Sequence, residues 1–114
     1  MEFKKTIAVD FDGVLNNYKG YDPKNLGTPR KEAKKFLEVL NKEYTIIIFT
    51  SRNHTLVRHW LKEYHLDKYI KNVTNSKPPA VAYIDDRAIR FDGNYDEVLD
   101  QAMNFKTYWE KTKD

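Results

Sequence analysis

The sequence predicts an α/β fold: a doubly wound parallel sheet flanked by helices in three layers. Three observations carry this. Short apolar runs at residues 7–9, 45–49 and 80–84 have the unbroken character of strands buried on both faces. Stretches with a 3.6-residue apolar period separate them, as helices covering a sheet require. Each run ends in polar residues, namely Asp10 and Asp12, then Thr50, Ser51 and Arg52, then Asp85 and Asp86. In open α/β sheets ligands bind at such carboxyl ends.

The 114 residues are expected to form one domain, residues 1–114, with no room for a second module. Charged residues make up 32% of the chain, which reads as a solvated surface around periodic apolar segments. The absence of cysteine excludes disulfides and thiolate metal sites. No apolar stretch reaches the length of a membrane span, and Met1 to Lys5 lack the apolar core of a leader. A cytoplasmic protein without a membrane partner is therefore expected. The net charge of +3 is spread over scattered lysines, a pattern that serves solubility more than a polyanionic partner.

Taken in order, residues 6–10 form the first strand and run directly into Asp10, Asp12 and Gly13. Carboxylates at the end of a buried strand are costly without a cationic partner. Gly13 permits a sharp turn or a close backbone approach. Residues 16–29 hold two of the four glycines and two of the four prolines and read as a flap loop returning over the Asp site. It is too short to be a cap domain. Thr28 is the expected N-cap and Pro29 the first residue of a helix whose stripe is Ala33, Phe36, Leu37 and Leu40, with Val39 beside it.

Residues 45–49 give the strongest strand signal, β-branched and uninterrupted. The second helix spans residues 54–64, with Asn53 as its cap and Leu56, Val57, Trp60, Leu61 and Tyr64 on its inner face. His59 and His65 read as helix residues without the spacing of a zinc pair. A short third strand is expected near residues 72–74, and Pro78 holds Lys77 extended in the loop that follows. Residues 80–84 form the fourth strand. Ala88-Ile89-Arg90-Phe91 alternates and predicts an edge strand or hairpin. Asn94 and Glu97 open a last helix carrying Tyr95, Val98, Leu99, Ala102, Met103 and Trp109. Residues 111–114 are expected to fray.

Four carboxylates, a lysine and a threonine hydroxyl converging on one point would repel unless a cation joined them. Mg²⁺ takes oxygen ligands, commonly one or two carboxylates plus substrate phosphate. Lys77 and Thr50 then remain to hold phosphate oxygens. The constellation thus reads as a phosphoryl-transfer site in which a carboxylate is the nucleophile and a second carboxylate the acid/base.

Val9-Asp10-Phe11-Asp12-Gly13-Val14-Leu15 resembles the first motif of the haloacid dehalogenase (HAD) superfamily. Thr50 after its apolar run resembles the second motif, Lys77 the third, and Ile84-Asp85-Asp86 the fourth, in the expected order. The resemblance implies a Rossmann-like fold. It also implies a Mg²⁺-dependent phosphatase that works through an aspartyl-phosphate on Asp10. Asp12 would be the acid/base and would lend its backbone carbonyl to the metal. Asp10 would also be a Mg²⁺ ligand, Asp85 would bind the metal with Asp86 contributing directly or through water, and Thr50 and Lys77 would bind the phosphoryl group, with Ser51 and Arg52 beside them.

Neither insertion that would form a cap domain is present, which implies an open site suited to a bulky phosphorylated substrate. Small substrates fit if the flap or an oligomeric partner closes the site. Thr50-Ser51-Arg52 and Ile84-Asp85-Asp86-Arg87 are also similar to the phosphatase domains of polynucleotide kinase/3′-phosphatases, which brings a nucleic-acid end into consideration. Arg52 reads equally as a phosphate ligand or as a surface ion pair. The competing class is a receiver-like phosphoacceptor domain, kept in view by Lys77-Pro78. Its acids precede its Thr/Ser and its Lys-Pro comes last, whereas here the acid pair follows the lysine.

Overall fold

A computed structural model describes residues 3–111. In chain order the elements are β1 (Lys5–Asp10), α1 (Ala33–Glu43), β2 (Tyr44–Phe49), α2 (His54–Glu63), β3 (Ile70–Thr74), β4 (Ala82–Ile84), α3 (Tyr95–Met103) and α4 (Tyr108–Lys111). The expected fraying of residues 111–114 concerns, beyond Lys111, residues outside the described ones. No helix among the described residues is long and apolar enough to cross a membrane.

The four strands form one sheet in the order β3-β2-β1-β4, and every pairing is parallel. This is an α/β fold with flanking helices. From β1 the chain moves outward to β2 and β3, then returns to place β4 on the other side of β1. The strand order therefore reverses between β1 and β4, and Asp10 and Asp85 lie at that reversal.

Register decides which side chains form the core. Ile7 pairs with Ile46 and Val9 with Ile48, and Ile48 with Val73, so these five point to one face. They are buried with Ala33 and Leu37 of α1 and with Val57, Trp60 and Leu61 of α2. On the other face Ala8 is buried, but Ile47 and Phe49 are only half-buried, and Tyr83, across Ala8 from Ile47, is exposed. The third layer expected there is not built by α3, which buries none of its residues. Its stripe residues Tyr95, Leu99 and Met103 are 75%, 55% and 81% exposed. The radius of gyration, 15.1 Å, accordingly exceeds the roughly 13 Å of a fully compact chain of this size.

Helix starts and ends follow local hydrogen bonding. Asn53 caps α2, its side-chain oxygen accepting from Thr55 N and Leu56 N. Asn94 does the same for Glu97 N at the start of α3. The helix expected from Pro29 begins instead at Ala33. Its supposed first turn is held extended: Asn17 N donates to Thr28 O, Arg30 N donates to Leu15 O, and Asn16 bridges Pro29. Thr28 Oγ1 accepts from Asn17 Nδ2 and so serves the loop. Phe36 and Val39 of α1 are exposed, as is Leu56 of α2.

α2 ends in a Schellman arrangement. Leu66 N donates to Leu61 O, His65 N donates to Lys62 O, and His65 takes a left-handed φ of 59°. His65 thus lies past the helix it was expected to occupy. The strand or hairpin predicted at residues 88–91 does not form. β4 stops at Ile84, where Asp85 Oδ1 accepts from Arg87 N and turns the chain away, and Arg90 pairs with nearby Asp92. Trp109, expected on the last long helix, belongs to the separate α4.

Candidate functional site

Asp10, Asp85 and Asp86 converge. One carboxylate oxygen from each lies within 4.8 Å of the others. Asp10 is the last residue of β1, and Asp85 and Asp86 follow β4, paired beside it with Val9 opposite Ile84. The sheet therefore brings together residues 75 positions apart. Burial, a hydrogen bond with Asp86 and the charges of Asp85 and Asp86 push the Asp10 carboxyl from 3.8 up to about 8. Three carboxylates in this space hold a shared proton or a cation. The donors are all oxygen, the set a hard divalent cation prefers.

Gly13 makes room for the trio. Its φ is +80°, and a Cβ there would lie 2.2 Å from Asp86 Oδ2 and 3.1 Å from Trp109 Nε1. No side chain other than hydrogen fits. Trp109 Nε1 donates to Asp86 Oδ2 at 2.6 Å and so fixes the orientation of that carboxylate. Tyr108 Oη donates to Gly13 O and accepts from Arg30 Nη1 at 2.9 Å. α4 thus grips both the glycine and the carboxylate beside it. Thr107 seats α4, its Oγ1 accepting from Glu110 N and donating to Glu110 Oε1.

Asp12 points elsewhere. Both its oxygens accept from Arg52 Nε, at 2.8 and 2.9 Å, and Oδ1 also accepts from Asn16 Nδ2. Arg52 is 3% exposed, so the ion pair is buried rather than the surface pair considered from sequence. Its Nη1 donates to Asp22 O and its guanidinium lies 4.9 Å from the centre of the Tyr21 ring. Arg52 therefore ties Asp12 to the 16–29 loop. With its ends bridged, this loop is a compact Ω-type loop. Tyr18 packs edge-on against Trp109 at 4.9 Å, and burial and the nearby Asp12 carboxylate push its hydroxyl above the usual tyrosine value.

Thr50 is buried at the end of β2, and its Oγ1 accepts from Arg52 N. That hydroxyl keeps its own proton to donate. Ser51 is exposed at the bend. Lys77 is exposed, with Nζ 4.6 Å from the centre of the Tyr83 ring, and makes no ion pair among the described residues. Of the expected site residues, three form the acidic cluster, Asp12, Thr50 and Arg52 form a hydrogen-bonded group from the adjoining strand ends, and Lys77 stands apart from both.

Four residues outside the expected set matter. Asn16 is buried, and its amide joins Gly13 N, Asp12 and Leu26 O. Asn75 Nδ2 donates to Thr50 O and Arg52 O and shapes that turn. Asn16 follows the Asp-Gly turn closely, a position where a side-chain amide commonly serves backbone groups. Asn75 shows no such signal. Trp109 reads as part of the last helix's stripe, and neither it nor Tyr108 carries a local sign of the site.

No family model matches this chain, and no curated protein does. Among solved structures it is similar to a conserved protein from Bacteroides thetaiotaomicron, at 21% identity and a TM-score of 0.60, over 98% of this chain and 100% of that one. At this identity the likeness establishes a shared fold alone.

Proposed function

We propose that the chain is a Mg²⁺-dependent phosphomonoesterase of the HAD type, built on a doubly wound sheet without a cap. The observation that carries this reading is the meeting of Asp10, Asp85 and Asp86 where the strand order reverses. All donors are carboxylate oxygens, and their crowding pushes Asp10 to about 8, the environment that a divalent cation relieves. Asp10, Asp85, Asp86 and the Asp12 carbonyl would hold Mg²⁺, which would supply charge neutralisation for the phosphoryl oxygens.

The chain's own residues do the rest. A carboxylate oxygen of Asp10 attacks phosphorus and forms an aspartyl-phosphate as the ester oxygen departs. Asp12 gives that oxygen a proton. It then takes one from water, whose oxygen attacks phosphorus, releases phosphate and restores the Asp10 carboxylate. Arg52 and Asn16 hold Asp12 beside the trio, and its carboxyl turns from Arg52 toward the ester oxygen to serve both steps. Thr50 donates its hydroxyl hydrogen to a phosphoryl oxygen, and Lys77 swings from Tyr83 to neutralise charge.

Hydrolysis of an aryl phosphate by wild type and by Asp10→Asn, with Mg²⁺ and with EDTA, tests this. Turnover should need both the ion and Asp10, with a loss of roughly a thousandfold or more in the variant. Undiminished turnover in Asp10→Asn would remove the nucleophile and the reading with it.

A further inference from the structure

Beside the trio opens a cleft of about 690 Å³ to which the hydrolytic steps give no role. Gly13, Asp85 and Asp86 form part of its lining, so it is continuous with the acidic cluster. Val14, Phe36, Ile84 and Tyr108 make its apolar walls, and Arg30 and Lys31 add two cations; apart from Asp85 and Asp86, whose charge the bound cation would offset, Glu32 is the one further acid of the lining. A phosphoryl group fills a small part of such a volume, which falls in the range of small-molecule sites.

The cations are not equivalent. Arg30 is held in place: Nη1 donates to Tyr108 Oη at 2.9 Å, and its guanidinium lies 5.2 Å from the centre of the same ring. Because Tyr108 also donates to Gly13 O, Arg30 is tied to the peptide against which Asp86 rests. A guanidinium fixed this way loses little freedom on binding an anion. α1 begins on the same wall at Ala33 with no side-chain cap, which adds the positive end of its dipole. Phe36 and Tyr108 offer ring faces and edges to a flat body. A polyanion would need a track of cations rather than an apolar hollow with two.

We infer that this cleft binds the leaving group of the phosphomonoester, and that the leaving group is a small aromatic or heteroaromatic body bearing a second anionic group. The inference rests on the phosphomonoesterase reading for its chemistry, but the cleft is testable without turnover.

Two measurements on the full chain separate the claims. The first compares steady-state hydrolysis of phenyl phosphate, 4-carboxyphenyl phosphate and a 3′-phosphorylated oligonucleotide with Mg²⁺. The carboxylated ester should show a KM about tenfold lower than phenyl phosphate. Arg30→Gln and Lys31→Gln should each raise KM for the carboxylated ester more than for phenyl phosphate, and Phe36→Ala should raise KM for both aryl esters. The second is binding of 4-hydroxybenzoate, which has no phosphoryl group, followed by the ring resonances of Phe36 and Tyr108. Equal KM values for the two aryl esters, or preference for the oligonucleotide, would overturn the inference while leaving the phosphatase intact. Binding of 4-hydroxybenzoate that Lys31→Gln weakens, without turnover of any ester, would keep the aryl-anion cleft and reject the phosphatase. Absence of both would reject both.

Discussion

Gly13 and Asp86 are in contact that only a glycine allows: an added Cβ would sit 2.2 Å from Asp86 Oδ2 and 2.8 Å from its Cγ. Gly13→Ala must therefore displace the carboxylate and strain a backbone at φ +80°. The strain alone costs about 1–2 kcal/mol. Calorimetric titration with Mg²⁺ should show affinity lost by more than an order of magnitude, about 1.4 kcal/mol or beyond. Wild-type affinity in Gly13→Ala would mean that Asp86 does not hold the ion.

Trp109→Phe keeps an aromatic ring against Tyr18 but removes the indole N–H that Asp86 Oδ2 accepts. Hydrogen bonds that orient a metal's ligands commonly carry about 10–100-fold in affinity. Mg²⁺ binding should weaken by roughly tenfold, within that range, while the thermal midpoint moves little. In wild type, indole fluorescence should respond to Mg²⁺ as Asp86 turns. A fluorescence signal blind to Mg²⁺ would separate Trp109 from the site.

Asp10 sets a pH dependence of a definite sign. Its carboxyl, pushed up to about 8, binds a proton more tightly in the folded chain than in the unfolded one, where the ordinary value is 3.8. The resulting stabilisation is full below about pH 4, declines as pH rises, and is gone above pH 8. Metal-free protein should thus show a falling thermal midpoint across that interval, and Asp10→Asn should flatten the slope. Mg²⁺, which competes with the proton, should raise the midpoint more at the alkaline end. Parallel slopes for wild type and Asp10→Asn would place the titrating group elsewhere.

Arg52→Met leaves a largely buried Asp12 carboxylate without its cation and releases the hold on Asp22 O. Breaking a buried pair from one side costs about 3–5 kcal/mol. Urea unfolding should register a loss near the lower figure, since Asn16 still donates to Asp12. Adding Asp12→Asn should recover part of it. Strict additivity of the two changes would show that the pair is not coupled.

His65→Gly should stabilise the fold. The residue sits at a left-handed φ of 59° where a side chain is strained, and its backbone N–H already serves Lys62 O. Relief of strain, less the greater entropy of an unfolded glycine, leaves a gain of about 0.5–1 kcal/mol. A lower denaturation midpoint would mean that the imidazole itself contributes.

The sheet was legible because its strands are short β-branched runs ending in polar residues, and register alone then gathers Asp10, Asp85 and Asp86. Asn53 and Asn94 were legible as caps because the amide that closes the turn is adjacent to it in sequence. Thr28 and Pro29 misled because the same residues that open a helix also suit a loop bridged to Asn16. The stripe of Tyr95, Leu99 and Met103 has helical period, and α3 is a helix, but period does not say that a face finds a partner. Tyr108 and Trp109 were opaque for a different reason. Their partners, Gly13 and Asp86, are 95 and 23 residues away, and no local pattern encodes such contacts.

The grip of α4 on Gly13 and Asp86 also orders events during synthesis. Asp10 leaves the ribosome early, but the groups that complete its surroundings are Asp85, Asp86 and Trp109. At about 5–20 residues per second, the chain from Asp10 to Trp109 takes roughly 5–20 s to make. Until residues 82–84 have been added, Asp10 stands at the end of a strand whose neighbour β4 does not yet exist. A nascent chain thus carries no finished acidic cluster, and any capture of a divalent cation by it would await the addition of Trp109.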